Sequence, residues 1–158
     1  MLEVVFPINQ NVTRPVFKLY GVDALLDPGA ELPILDLSED VITRKFGGKY
    51  LGSSVPISGY GGTGHQNYKL FLLREFGLGQ MVYENIPVAV GPSSMVKVSM
   101  VLGSTMFGAG TITTIDTGRD EIRIRYSEQA INGKCLWKKN SKNIWKKLEF
   151  ENGDWIFS

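Results

Sequence analysis

Ala24-Leu25-Leu26-Asp27-Pro28-Gly29-Ala30-Glu31-Leu32-Pro33-Ile34-Leu35 is the stretch on which the reading of this chain turns. Apolar residues flank an aspartate and a short turn, a pattern that buries two strand ends and leaves one carboxylate between them. Gly29 is expected to let the backbone turn tightly beneath that carboxylate. Two further segments belong with it. Ile57 to Gly64 is a glycine-rich tip between two strand-like runs, where mobile backbone can fold over a bound ligand. Met100-Val101-Leu102-Gly103-Ser104-Thr105-Met106-Phe107 is an apolar run, a glycine and a short helix, followed by a strand from Thr111 to Ile115.

The order and spacing of these three segments resembles the retropepsin-like aspartic proteases, which carry an Asp-Thr/Ser-Gly-Ala loop, a glycine-rich flap and an apolar-apolar-Gly helix before a closing strand. The resemblance covers residues 1–126. It implies an all-β fold, a closed acid-protease barrel with one or two short helices, that supplies one catalytic aspartate, Asp27, per chain. It implies a homodimer, since two chains must pair about a two-fold axis to bring two such carboxylates together. At short range both cannot readily ionise, so the pair shares a proton. One carboxylate then activates a water and the other polarises the scissile carbonyl of a peptide. Gly29, Ala30, Tyr60, Gly61 and Gly62 fall at the loop and flap positions that would contact substrate. No cofactor is implied.

Pro28 departs from the family pattern. It has neither the hydroxyl nor the backbone N–H of the usual Thr or Ser, so a hydrogen-bond network beneath the aspartates cannot form in the usual way. It also biases Asp27 toward extended backbone angles. A second reading therefore stands beside the first: a protease-fold binding or assembly module with impaired catalysis.

Composition narrows the field. Hydrophobic residues at 43% and charged residues at 21% of 158 fit one globular domain with a modest appendage. The net charge of +1 hides an asymmetry. Six lysines, Lys134, Lys138, Lys139, Lys142, Lys146 and Lys147, lie in a stretch without Asp or Glu. Setting them aside, 11 basic residues face 16 acidic ones, a net of −5. A single cysteine, Cys135, excludes an intrachain disulfide and suits a reducing, cytoplasmic setting. With one His and one Cys, a zinc cluster within the chain is not expected. No membrane span is expected either, since no apolar run is long enough.

Other motifs compete and lose. Gly59-Tyr60-Gly61-Gly62-Thr63-Gly64 matches a dinucleotide fingerprint, with Glu84 at a suitable distance, but the residues that follow read as a strand where a helix is needed. His65-Gln66 stand where a phosphate loop needs Lys and Ser/Thr. Asp116-Thr117-Gly118 is a literal protease triplet, yet Arg119-Asp120 follow it and turn chemistry marks a polar hairpin tip. Asp36 and Asp40, like Ser104 and Thr105, read as helix-start residues, and His65 as an exposed flap residue. Tyr60 has two readings, substrate contact or simple exposure.

Along the chain, strands are expected at 16–20 and 24–26 around a turn at Gly21-Val22-Asp23, at 51–58, 68–73 and 81–90, and as a hairpin over 111–115 and 121–126. A helix is expected from Leu37 to Phe46, capped by Ser38 and ended by Gly47-Gly48, with a shorter one from Ser104 to Phe107. Residues 127–158 read as an appended β-rich tail with Trp137, Trp145 and Trp155. Its lysines read as a solvated face, so neither a nucleic-acid nor a membrane partner is expected.

Overall fold

A computed structural model describes residues 2–9, 14–27, 29–30, 32–58, 65–79, 81–93, 97–103, 106, 111–126, 136–139, 145–151 and 154–157. Over these residues the chain is all-β with one α-helix. Strand β1 (Leu2–Pro7) pairs antiparallel with β10 (Glu121–Tyr126), which pairs with β9 (Thr111–Asp116) to make a three-stranded sheet. One face of that sheet buries Val4, Phe6, Ile122, Ile124 and Tyr126. The other carries an ion-pair network in which Arg123 contacts Glu3 and Glu121, and Arg125 contacts Glu3.

The larger sheet begins with the hairpin β2 (Val16–Leu19) and β3 (Val22–Leu26). Its turn is Tyr20-Gly21, both left-handed at φ 54° and 76°, the pairing that suits a two-residue hairpin. The turn lies one residue earlier than expected, and Val22 and Asp23 belong to the strand. Tyr20 tolerates its backbone because its hydroxyl accepts a 2.6 Å bond from the Gly77 N–H and its ring packs edge-on against Phe46. Beyond this hairpin come β4 (Ile34–Leu35), β5 (Lys49–Ser58), β6 (His65–Leu78), β7 (Met81–Val90) and β8 (Met100–Leu102). The tail adds β11 (Leu136–Lys139), β12 (Trp145–Glu151) and β13 (Asp154–Phe157), attached through pairing of β11 with β7. The tail thus extends the main sheet.

The expected barrel closure is not found among the described residues. The strand order is β13-β12-β11-β7-β4-β8-β3-β2, with the β5–β6 hairpin joined at β7, and no ladder closes it among the described residues. Closure needs a continuous hydrogen-bonded ladder. Here β1 pairs with β10, and the two sheets meet by packing, as where Phe6 lies 4.6 Å from Phe17.

Helix α1 (Glu39–Phe46) forms where local chemistry directs it. The Ser38 side chain accepts from the Val41 N–H, Glu39 and Asp40 occupy the positive first turn, and Arg44 and Lys45 the last. Gly47 ends the helix in a left-handed conformation, and Ile42 and Phe46 face the core. The second helix, expected over 104–107, lies outside the described residues except for Met106, whose N–H bonds the Gly103 carbonyl at 3.1 Å.

One buried polar contact ties the sheets together. The Tyr83 hydroxyl on β7 donates to the Tyr126 hydroxyl on β10 at 2.7 Å, with both residues buried. Burial pushes both phenols above their usual range, since ionising either would leave a charge in apolar surroundings. Below pH 10 the folded and unfolded chains hold these protons alike. Above it the unfolded phenols ionise and the folded ones do not, so stability should fall as pH rises past about 10. Tyr126→Phe should cost about 1–3 kcal/mol by stranding the Tyr83 donor, whereas the double Phe variant should recover part of that loss. Denaturant melts of the parent and the two variants at neutral pH and above pH 10 check both expectations.

Candidate active site

The topology around β8 puts Asp27 where the sequence could not. Strands β3 and β4 follow one another in the chain, yet they do not pair with each other. Strand β8 lies between them, parallel to β3 (Leu26 opposite Leu102) and antiparallel to β4 (Ile34 opposite Val101). The connecting segment 27–33 must therefore pass over the C-terminal end of β8. The surrounding strand ends, Leu25, Leu26, Ile34, Leu35, Val101 and Leu102, are all buried, which fixes the segment at both ends.

Asp27 opens that segment. Its N–H extends the β3–β8 ladder by bonding the Leu102 carbonyl at 3.1 Å, and its carbonyl accepts from Ala30 N–H at 3.1 Å, closing a four-residue turn. The carboxylate oxygen Oδ1 accepts from the Gly29 N–H at 2.9 Å. The side chain is partly exposed. Backbone on both sides thus orients one carboxylate that keeps access to solvent.

Gly29 serves a different need from the one expected. Its φ is not left-handed. A Cβ there would instead lie 3.1 Å from Asp27 Oδ1, so glycine keeps the carboxylate uncrowded. Gly29 is exposed, while Ala30 is buried in a second apolar cluster with Val16, Leu25, Ile34, Tyr68, Ala89, Val98 and Val101. Val55 and Ile57 of β5 pack against the same cluster. The tip end of the β5–β6 hairpin and the Asp27 turn therefore share one apolar floor.

Ser58 pairs with His65 at the end of that hairpin, so residues 59–64 join paired strands. Tyr60, Gly61 and Gly62, the expected flap contacts, lie outside the described residues, as do Pro28, Ser104 and Thr105 and the side chain of His65.

Asp116, Asp40 and Asp36 take structural roles. Asp116 Oδ1 accepts from the N–H groups of Gly118 and Arg119, each at 3.0 Å, which makes the Asp-Thr-Gly triplet the polar tip of the β9–β10 hairpin. Asp40 pairs with Arg44 on α1. Asp36 precedes the helix and does not belong to its start. Its Oδ2 accepts from the backbone N–H and hydroxyl of Ser93, pinning the loop after β7. Among the described residues no group of three His, Cys, Asp or Glu comes together to hold a metal, and no helix is long and apolar enough to cross a membrane.

Gly103 is the residue beside the Asp27 segment whose reason only the structure supplies. A Cβ there would lie 2.8 Å from the Ala30 carbonyl oxygen and 2.8 Å from both the carbonyl carbon and oxygen of Leu32. The chain crossing over β8 needs a position with no side chain. The sequence signal was the glycine after three apolar residues, which by itself reads as the start of a helix.

No protein-family model matches this chain, and no curated protein matches it. Among solved structures, a retropepsin-like aspartic protease from Rickettsia conorii is similar, with a TM-score of 0.49 and 19% identity, over 78% of this chain and 90% of that one.

Proposed function

We propose that this chain is one half of an aspartic endopeptidase, in which two protomers bring two Asp27 carboxylates together around a shared water. The observation that carries the reading is the Asp27 turn: a partly exposed carboxylate, held by the Gly29 N–H, on a segment crossing a buried strand end. Its resemblance in sequence to the Asp-Thr/Ser-Gly-Ala loop supplies the chemistry. With one proton between the two carboxylates, one draws a proton from water while the other donates to the scissile carbonyl oxygen. Gly29 and Ala30 form the floor beneath an extended peptide, and Tyr60, Gly61 and Gly62 cover it from the flap. No cofactor takes part. Residues 1–126 form the protease unit and 127–158 the appended tail, in a cytoplasmic protein.

Self-association has a surface suited to it. Strand β9 stands at the edge of its sheet. Its run Thr111-Ile112-Thr113-Thr114-Ile115 has none of the lysines or prolines that commonly guard an edge. Ile112 and Ile115 are 53% and 46% exposed.

The test pairs sedimentation with hydrolysis of fluorogenic peptides. A dimer should cleave, with a bell-shaped rate–pH profile reporting the carboxylate pair, and a peptide bearing a hydroxyl-type transition-state mimic should block it. A monomer at high protein concentration would remove the second carboxylate and with it the mechanism. A dimer that binds the mimic yet never cleaves would favour the binding-module reading.

A further inference from the structure

Strand β6 changes partners along its length. Between Lys69, opposite Val90, and Leu78, opposite Met81, it pairs with β7, whereas residues 65–68 pair with β5 alone. Residues 54–58 and 65–68 thus form a two-stranded arm that leaves the main sheet at residues 68–69. The β5 side breaks at the same level. Tyr50 pairs with Phe71 and Ser54 with Lys69, so three residues, 51–53, stand where β6 has only Leu70, and Gly52 among them is left-handed at φ 77°. Such a bulge disrupts the ladder and bends the strand. A two-stranded ribbon has little stability of its own, so the direction of the arm depends on what fastens it.

Two neighbouring side chains, on opposite faces of β6, meet other elements at this level. The Lys69 ammonium bonds both Glu39 carboxylate oxygens, at 3.2 and 3.0 Å, at the start of α1. Both partners are about half exposed, and a pair so open to water holds little. Tyr68 is 1% exposed. Its hydroxyl donates to the Pro92 carbonyl in the loop after β7. Its ring lies against Gly91, where a Cβ would stand 2.3 Å from the ring carbon Cδ2. That loop is itself held: the Gly91 N–H bonds the Leu35 carbonyl, and the Ser93 N–H and hydroxyl bond Asp36. Tyr68 also belongs to the apolar cluster that contains Ala30, with Val55 and Ile57 of the arm packed on it. One side chain therefore ties the arm to a fixed loop and to the floor of the Asp27 turn.

We propose that Tyr68 is the positioning residue of the arm: its hydroxyl, bonded to Pro92, fixes how closely residues 54–58 and 65–68 lie to the Asp27 turn across their shared floor. Phenylalanine would fill the same apolar space, so the hydroxyl is the part of this side chain that packing alone does not require. Without it the arm samples other angles, and a peptide lying between arm and turn must first select the right one. Apparent affinity then falls by the fraction of molecules so arranged, whereas the chemistry of the bound complex is unchanged. The effect on substrate rests on the endopeptidase reading, whereas the fastening of the arm does not.

The test applies amide hydrogen exchange and peptide kinetics to the full chain carrying Tyr68→Phe. Exchange over residues 54–58 and 65–68 should quicken about fivefold, the equivalent of one net hydrogen bond, while β1 and β10 exchange as in the parent. KM for a fluorogenic peptide should rise by a similar factor at constant kcat. Asp36→Ala, which frees the loop from its own side without touching the arm or the core, should quicken the same amides and serves if Tyr68→Phe does not fold. Lys69→Met should change either readout less than twofold. Unchanged exchange in the arm would overturn the proposal, as would a uniform rise across the chain, which marks an ordinary core residue. In a parent that cleaves, a quickened arm with KM unchanged, or a fall in kcat alone, would overturn it too. A parent that neither cleaves nor binds the transition-state mimic would end the endopeptidase reading, and the exchange data would still decide whether Tyr68 fastens the arm.

Discussion

Replacing Asp27 with Asn should abolish peptide cleavage while leaving the fold intact, and Asp116→Asn should leave both unchanged. The asymmetry follows from what each carboxylate touches. Asp27 Oδ1 accepts a backbone bond from the Gly29 N–H at 2.9 Å, and an Asn Oδ1 can accept the same bond. The turn therefore survives. What disappears is the ability to take a proton from water and return it, and in a homodimer one substitution removes it from both halves of the site. General acid–base catalysis contributes on the order of 10³-fold, so residual hydrolysis should fall to background. Asp116 instead accepts from the N–H groups of Gly118 and Arg119 at a hairpin tip. Asn serves there equally well, because turn formation needs the oxygen and not the charge. Fluorogenic hydrolysis with thermal melts on both proteins decides the matter. Cleavage lost with Asp116→Asn and kept with Asp27→Asn, both folded, would reverse the assignment.

How far the sequence could be read follows from whether each feature is local. Helix α1 was legible because Ser38, Glu39, Asp40, Arg44, Lys45 and Gly47 each act within a turn or two of their own position. The β9–β10 hairpin was legible for the same reason. Strand β6 was read only as 68–73, although it runs from His65 to Leu78. The buried residues switch from Phe71 and Leu73 to Phe76 and Leu78, a change of parity, and the partner strand switches with them, from Ile86 and Val88 to Tyr83 and Met81. Asn85, left-handed at φ 54°, sits at the switch. A period-two reading breaks at such a point even though the pairing continues. Strand β4 went unread because two residues carry no periodicity. It exists only because β7 and β8 flank it. The same non-local pairing explains the candidate site: Asp27 and Gly29 were visible as a motif, whereas their dependence on Leu102 and Gly103, more than seventy residues away, was not.

That dependence sets the second large effect, at Gly103. An added methyl would lie 2.8 Å from the Ala30 oxygen and from the carbonyl of Leu32. These are backbone atoms, which cannot rotate aside as a flexible side chain can. Either the 27–33 segment lifts or β8 moves down its ladder. The first shifts the Asp27 turn through Ala30, whose N–H bonds the Asp27 carbonyl. The second strains the bond from Asp27 N–H to Leu102. Gly103→Ala should therefore destabilise the fold by about 2–3 kcal/mol, in the range of overpacking, which lowers the melting temperature by roughly 5–10 °C for a chain of this size. Cleavage should fall further than the loss of folded protein explains, because carboxylate geometry tolerates only about half an ångström of error. Gly21→Ala is the matched comparison. Its added methyl meets nothing within 4 Å, and it bears only the penalty of a left-handed φ of 76°, about 1 kcal/mol. It should melt slightly early and cleave normally per folded molecule. If Gly103→Ala melted no earlier than Gly21→Ala and cleaved at the parent rate, the loop would not rest on β8 as closely as this geometry requires. The link between a buried strand end and the reactivity of Asp27 would then be lost.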